Sequence, residues 1–511
     1  MKNQESILVL DYGSQYNQLI CRRIRELGVY TELLPFDSSI TKVLSLQPKG
    51  FILSGGPASV YDENAPKLPD WILKQNLPVL GICYGMQLLA EKFNGKVKSS
   101  SKREYGPAQI EILNSSPLFQ DVKSGSHCWM SHGDEVSKVP PQFHVIARSF
   151  SGLISALGHE EKKIYGVQFH PEVSHTPFGK ILLKNFLDIC GCEFTWNLSS
   201  FIEDSIQQIR ELTKNEKVIC AVSGGVDSTV AALLAAKAIG KNLHSIFVDT
   251  GLLRKQEKEE VVSILSKFPM SFHLINGAKI FLEKLKNVKN PEEKRKIIGR
   301  TFISLFENRA KPLKARFLIQ GTLYPDVIES SQDQNKLSAK IKTHHNVGGL
   351  PKTMKLSLIE PLRYLFKDEV REIGKKLGIS NKILQRQPFP GPGLAVRILG
   401  EINKGQISLL RRADAIVREE VEKTDEITRL WQFFAVLLPI KTVGVMGDKR
   451  TYENVAAVRA VHSNDGMTAS YARLPWEVLD RISSRIISEV KGINRVVYDI
   501  TPKPPGTIEW E

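Results

Sequence analysis

At 511 residues, with 42% apolar and 24% charged residues, the chain has the composition of a soluble globular protein and exceeds one ordinary core, so two to four domains are expected. No apolar run reaches about 18 residues, which argues against a transmembrane helix, and the start MKNQESILVLDYG passes from polar residues straight into a strand, so a cytoplasmic location is expected. The net charge is +15, but the basic residues are dispersed and no zinc-finger or RNA-recognition spacing occurs, so small phosphorylated anions are favoured over nucleic acid as partners.

Residues 5–190 alternate short apolar strands with helical stretches. SILVLDYG is a strand ending in a turn, QYNQLICRRIRELG an amphipathic helix closed by glycine, and GFILSGGP and LPVLGICYG two further strands. This alternation predicts a parallel sheet flanked by helices. The stretch from AQIEIL to KIYGVQFHPE is richer in strands, and FGKILLKNFLDIC closes the segment as a helix. The six cysteines (Cys21, Cys83, Cys128, Cys190, Cys192 and Cys220) include no C-x-x-C pair, which suits a reducing compartment and argues against disulfides or structural zinc. Cys190 and Cys192 read as free thiols at a domain end.

A second series of strands and helices starts near residue 216, after a join at CGCEFTWNLSSFIEDSIQQIRELT where Ser199 or Ser200 is expected to cap a helix. KVICAV, LHSIFVDTG and ARFLIQGTLYPD read as its strands. QPFPGPGLAVRILG (387–400) reads as an ordered loop. Beyond it QISLLRRADAIVREEVEK reads as a helix and FFAVLLPIKTVGVMGD as a strand. The fold class expected is α/β: two tandem α/β domains with mainly parallel sheets, 5–195 and 196–386, plus a smaller α+β domain, 387–511.

LPVLGICYGMQLLAEKFNG sets Cys83 between Gly81 and Gly85, after a buried strand and at the start of a helix. This is a nucleophile elbow with Cys in place of Ser. The helix N-terminus favours the thiolate. The Tyr84 N–H points toward a developing oxyanion, and Gly56 of SGGP can supply a second donor. GVQFHPE offers a base: Pro171 biases His170 to extended backbone, where Glu172 at i+2 shares its face and can orient the imidazole. Cys83 would attack a carbonyl and His170 would carry protons to an amine or ammonia. Taken singly, a core cysteine and a surface histidine are the blander readings; their joint occurrence in one α/β segment disfavours them. SGGP (54–57), LGICYGMQ (80–87), SHGDEV (131–136) and GVQFHPE (166–172) make residues 5–190 similar to class I glutamine amidotransferases. That resemblance implies glutamine hydrolysis through a Cys83 thioester, with Gln87 and the SHGDEV loop at substrate glutamine. His127, His144 and His159 match no motif and are expected to be ordinary surface or core histidines.

SGGVDST (223–229) lies between a strand and a helix like a phosphate loop but has no lysine. The N–H groups of Gly224, Gly225 and Val226 can form an anion nest, and Ser223, Ser228 and Thr229 add hydroxyls. Without a lysine for γ-phosphate, the loop suits pyrophosphate as a leaving group, and so adenylylation by ATP. It resembles the loop of N-type ATP pyrophosphatases. Asp227 would repel phosphate unless Mg²⁺ sits nearby or the side chain turns away; metal-assisted positioning is the role assigned. Asp249, at a strand's carboxyl end, either contacts adenosine or caps its own turn. Asp326 and Glu329 of GTLYPDVIES are candidates to hold Mg²⁺ on the diphosphate. IKTHHNVGGLP reads as a lid whose Lys342 neutralises ATP phosphate; its paired histidines lack a third ligand for zinc.

An amidotransferase fused to an ATP pyrophosphatase resembles the glutamine-hydrolysing GMP synthetase family over essentially the whole chain, through EEKRKIIGR, QGTLYPDVIES, KTHHNVGGLP, PFPGPGLAVR, VGVMGDKR and KPPGTIEWE. The resemblance implies amination of XMP through an adenylyl-XMP intermediate, with XMP, ATP and glutamine as substrates, Mg²⁺ with ATP and no organic prosthetic group. It places Arg295 at the XMP phosphate region and Gln432, Lys503, Ile508 and Glu509 along the XMP site. It makes the third segment a dimerisation and XMP-binding domain, so a homodimer is expected. Two other readings differ in kind. A tRNA-modifying pyrophosphatase would need an RNA-binding module or a second cysteine pair, and neither is seen. A regulatory protein with a dead amidotransferase domain is disfavoured by the complete Cys83, His170 and Glu172 set.

Overall fold

Strand β1 (Ser6–Asp11) is fully buried from Ile7 to Leu10, the mark of a strand covered on both faces in a parallel sheet. The structure is a computed structural model and describes residues 5–327, 356–446, 448–463 and 468–511. It divides into two compact units, Met1–Phe201 and Ile202–Glu511.

In the first unit the strands are β1, β2 (Tyr30–Pro35), β3 (Pro48–Leu53), β4 (Val79–Ile82), β5 (Lys96–Ile112), β6 (His127–Lys138), β7 (His144–Ser149), β8 (Ile154–His159) and β9 (Ile164–Val167). Among the described residues they form one mixed sheet, ordered β2-β1-β3-β4-β9-β8-β7-β5-β6. The half from β2 to β9 is parallel, and the half from β9 to β6 antiparallel. Helix α1 (Asn17–Glu26) buries Ile20, Cys21 and Ile24 at the i, i+1, i+4 spacing of one face. Helices α2 (Tyr84–Lys92) and α3 (Gly179–Ile189) bury Met86, Leu88 and Leu89, and Leu182, Leu183 and Phe186. SHGDEV, expected as a loop, lies within β6, paired to β5. All six cysteines are free and buried.

Helix α4 (Leu198–Thr213) carries the division between the units. Its cap is neither Ser199 nor Ser200: Asn197 Oδ1 accepts both of their N–H groups, at 3.1 and 2.9 Å. Asn is one of the strongest N-caps because its short carbonyl reaches N–H groups two and three residues ahead.

The second unit holds a five-stranded, all-parallel sheet, ordered β12-β11-β10-β13-β14, with β10 (Val218–Ala221), β11 (Leu243–Asp249), β12 (Ser271–Asn276), β13 (Phe317–Ile319) and β14 (Ser357–Ile359). Its helices include α5 (Val226–Ile239), α6 (Pro291–Ala310) and α7 (Lys367–Lys376). A second sheet pairs β15 (Gln432–Met446) antiparallel with β16 (Lys449–His462), flanked by β17 (Ser470–Tyr471) and β18 (Ile493–Tyr498). Helices α8 (Lys404–Val421) and α9 (Trp476–Glu489) pack there. One apolar cluster runs from Ile219, Ile246 and Val248 of the parallel sheet through Leu394, Ala395 and Ile398 to Phe433, Ala456 and Ile482. The segment 387–400 is therefore core as well as loop. Gly393 takes φ +63 where a Cβ would stand 2.5 Å from Leu252 O, and a short helical turn spans Gly393–Arg397. Residues on either side of the expected boundary at 387 share this core. No helix among the described residues is long and apolar enough to cross a membrane.

Candidate active sites

The strand order places β3, β4 and β9 side by side in parallel, so their carboxyl ends converge. SGGP follows β3, Cys83 follows β4 and His170 follows β9. Cys83 has φ +53 and ψ −105, a backbone state that costs a non-glycine residue roughly 1–3 kcal/mol and is kept where surroundings enforce it. The Cys83 N–H is tied to Val167 O at 2.8 Å. Its two glycines are sterically required: a Cβ on Gly81 would stand 2.5 Å from Gly85 C, and one on Gly85 would collide with Leu53 O. A Cβ on Gly55 would lie 3.3 Å from His170 Cε1 and 3.6 Å from Cys83 Cβ, which shows how tightly the three loops meet. Gly56 is pressed against Tyr12, where a Cβ would stand 2.5 Å from the carbonyl oxygen. The Tyr84 hydroxyl donates to Pro66 O at 2.7 Å, so Tyr84 offers the cleft its main chain, at the first residue of α2.

His170 Nδ1 meets Glu172 Oε1 at 2.8 Å, and both side chains are buried. Burial works against the imidazolium. The Glu172 charge, the hydrogen bond with Cys83 and that with Glu172 outweigh it and raise the His170 pKa to about 10. The ring is further fixed by Tyr16, edge-on at 5.1 Å, and by main-chain bonds from His170 N–H to Trp129 O and from Thr176 Oγ1 to His170 O. The arrangement can hold a proton on the imidazole next to a sulfur nucleophile and deliver it to a leaving group.

Gln168 escaped the sequence reading. Its Nε2 donates to Cys83 Sγ at 3.5 Å and its Oε1 accepts from Gln87 Nε2 at 3.4 Å. The alternation that joins His170 to Glu172 reaches back to Gln168 and could have found it. Gln87 is buried, its amide spanning Gln168 and Asp134 O. Asp134 accepts from Ser59 Oγ at 2.5 Å and Tyr61 OH at 2.8 Å, and His132 Nε2 meets Glu104 at 3.1 Å. The three unassigned histidines keep ordinary company: His127 with Gln109, His144 with Glu160, His159 with Gln142.

The second unit repeats the device. SGGVDST follows β10, Asp249 ends β11, and GTLYPD follows β13, again on three adjacent parallel strands. Gly224 has φ +81, and a Cβ there would meet Val261 Cγ2 at 2.5 Å. Gly225 is the N-cap of α5, so Val226, Asp227, Ser228 and Thr229 form its first turn, where free N–H groups favour anions. Ser228 Oγ accepts the Ser223 N–H at 3.2 Å and lies 3.1 Å from Ser223 Oγ. Thr229 Oγ1 donates to Gly225 O. Asp249 takes the capping role in this structure: Oδ1 accepts the Gly251 N–H at 2.9 Å and Oδ2 pairs with Lys258 at 3.0 Å.

Asp227 does turn partly away from the loop. Oδ2 stands 3.5 Å from Lys367 Nζ at the start of α7, while Oδ1 is buried without a hydrogen-bond partner among the described residues. Burial raises its pKa; Lys367 opposes this and the charge of Asp326 adds to it. Asp326 Oδ2 accepts the Leu323 N–H at 2.9 Å. An orphaned carboxylate oxygen beside a second carboxylate is a donor set that fits Mg²⁺, which takes one or two carboxylates with substrate phosphates and water. No cluster of three or more His, Cys, Asp or Glu side chains able to hold a metal occurs among the described residues. Glu329 and Lys342 lie outside them. Lys367 and Arg386, whose Nη1 donates to Gly224 O at 3.2 Å, carry no local sequence signal.

The tail after β18 is anchored rather than frayed. Glu509 accepts from Gln432 Nε2 at 2.6 Å and from Nε and Nη2 of Arg397, at 3.0 and 2.7 Å. Arg397 is fully buried, near Asp414 and over the Phe434 ring at 3.9 Å. A lone arginine inside the apolar run GLAVRIL is the signal that could have exposed it. Ile508 packs with Phe434, Val436 and Ala457. Arg295 Nη2 donates to Glu511 O at 2.5 Å, and Lys503 is held by main-chain bonds to Ala469. Gln432 and Glu509 are thus brought together, and Arg295 reaches the same tail through Glu511.

Comparison with known proteins agrees with this layout. Residues 8–190 match the family described as Glutamine amidotransferase class-I, 197–303 the family NAD synthase, and 419–510 the GMP synthase C terminal domain. The GMP synthase (glutamine-hydrolyzing) of Thermomicrobium roseum is 54% identical over 511 residues, covering 99% of this chain and 97% of that one. Those of Clostridium kluyveri and Aquifex aeolicus are 54% and 55% identical, covering 99% of this chain and 100% and 99% of theirs. The chain belongs to the glutamine-hydrolyzing GMP synthase family.

Proposed function

We propose that the chain converts XMP, ATP, glutamine and water to GMP, AMP, pyrophosphate and glutamate at two sites. At the first, Cys83 Sγ attacks the glutamine carboxamide. The N–H groups of Tyr84 and Gly56 receive the developing oxyanion, His170 gives its proton to the departing ammonia, and water then cleaves the thioester. Glu172 keeps the imidazole oriented, and Gln87 faces the bound glutamine. The observation that carries this reading is the convergence of Cys83 and the buried His170–Glu172 pair on adjacent strand ends.

At the second site the turn from Ser223 to Thr229 holds the β- and γ-phosphates while the XMP C2 oxygen attacks the α-phosphorus. Pyrophosphate leaves, and ammonia then displaces AMP from the adenylyl-XMP. Asp227 and Asp326 would hold Mg²⁺, with Glu329 expected to join them; the ion supplies neutralising charge on the diphosphate. Asp249 shapes the turn at the adenosine side, and Lys342 is expected at the phosphates. Arg295, Gln432, Lys503, Ile508 and Glu509 line the XMP site. The enzyme works in the cytoplasm as a homodimer; the exposed apolar strip Ile440, Val443, Val445 and Tyr452 on the β15–β16 hairpin supports the pairing.

AMP release measured with XMP, with IMP and with no acceptor tests the substrate. AMP should appear only with XMP, and equal release without it ends the assignment.

A further inference from the structure

Glu511 is held at three points within the second unit. Its Oε2 accepts from Lys294 Nζ, its Oε1 accepts the Gly400 N–H at 3.3 Å, and its main-chain oxygen accepts from Arg295 Nη2 at 2.5 Å. Lys294 is fully buried, and its other donors go to Ala395 O at 3.3 Å and Ile398 O at 2.7 Å. Burial lowers its pKa, and the hydrogen bond and charge of Glu511 oppose that. A buried ammonium keeps its charge only with a counter-charge at hand, so the two residues form one unit.

Lys294 and Arg295 are neighbours on α6, and both end on the same tail residue. A guanidinium presents five donors in one rigid plane. Fixing one arm on Glu511 O, with Nε 3.7 Å from Glu292 Oε1, fixes where the remaining donors point. Two residues upstream, Glu509 is gripped by Arg397 and Gln432. The tail is thus pinned at both Glu509 and Glu511 by buried or half-buried side chains from α6, β15 and the turn at 393–397.

We propose that Glu511 is a positioning residue for the acceptor nucleotide: locked to Lys294, it aims Arg295 at the nucleotide phosphate and sets the stretch carrying Ile508 and Glu509. This rests on the reading that Arg295 and the tail line the XMP site.

The test uses the full chain. Glu511→Gln keeps the size of the side chain and removes the charge facing Lys294. The KM for XMP should rise about tenfold with kcat within about twofold, the split expected when binding alone is weakened. Glu511→Asp should restore part of the affinity. Lys294→Met should raise the same KM, and the double variant should do no more than the larger single change, because the pair acts together. Calorimetric titration of XMP should show the same loss. An unchanged KM for XMP in Glu511→Gln, with a raised one in Lys503→Ala or Glu509→Gln, overturns the inference and leaves the tail reading standing. Unchanged values in all three remove the tail reading itself. An equal loss of affinity for XMP and ATP marks a general loosening and also overturns the proposal.

Discussion

The carboxyl ends of β3, β4 and β9 carry one site, and those of β10, β11 and β13 carry the other. In the first, every reacting group lies in a buried turn of the site's own three strand ends: the elbow is bolted to Val167 and the histidine to Glu172 and Trp129. In the second, the loop itself supplies mainly N–H groups, while its charges arrive from far along the chain: Lys367 is 140 residues from Asp227, and Arg386 is 162 from Gly224. Each site keeps one buried carboxylate oxygen without a hydrogen-bond partner among the described residues, Glu172 Oε2 in the first and Asp227 Oδ1 in the second. The difference follows from the chemistry. Covalent catalysis by a side chain needs that side chain placed before substrate arrives. A site whose reacting groups belong to substrates needs sockets, which N–H groups of a turn and charges from distant parts of the chain can build.

The comparison breaks most sharply at Cys83. Cys83→Ala should cut glutamine-dependent GMP formation at least about 10⁴-fold while synthesis from added ammonia continues; loss of both in a folded variant would unite what are described here as two sites. Glu172→Gln should lower glutaminase turnover by about 10³-fold. The His170 pKa should fall from about 10, since burial still works against the imidazolium while the charge and hydrogen bond of Glu172 no longer support it; imidazole NMR titration reads this. Because its folded pKa is raised, His170 in the native chain contributes stability that is full below about 6.5 and lost as pH climbs through about 10. The variant should show less of that loss, and an unmoved titration would disconnect the pair. Asp227→Asn should slow synthesis from both nitrogen donors by about 10²-fold, or about 2.7 kcal/mol of lost charge stabilisation. It should also raise the Mg²⁺ needed for half-maximal rate. Its melting temperature should hold or rise, since a carboxylate with one buried, unpartnered oxygen is removed. A fall in melting temperature with undiminished Mg²⁺ response would make Asp227 structural.

These two sites were unequally legible in the sequence. The elbow, the histidine and the glutamate lie in short motifs whose geometry is local: glycine spacing, a proline after the histidine, and i, i+2 alternation. Gln168 obeyed the same alternation. The phosphate loop was legible for the same reason, and so was the parallel order of strands around it. Lys294, Lys367 and Glu511 were not, because their partners are set by tertiary packing across long separations, and nothing near them in sequence marks those partners. The strands Ser271–Asn276 and Lys449–His462 were passed over as well. The first is only half-buried at an edge and lacks a clear alternation, and the second opens with the charged stretch KRTYEN before its apolar half begins. The helix cap at Asn197 lies two or three residues before the expected serines for a local reason, two serines competing with one asparagine.

The apolar cluster shared by the two sheets of residues 202–511 has a consequence for how that unit comes apart. Elements that bury one another's core side chains lose their stability together. Leu394, Ile398, Leu410 and Phe433 are all fully or almost fully buried in the one cluster that also holds Ile219, Ile246 and Val248 of the parallel sheet. Cutting the chain at 387 would bare this surface on both fragments, so the nucleotide-activating half and the tail-bearing half melt as a single cooperative block.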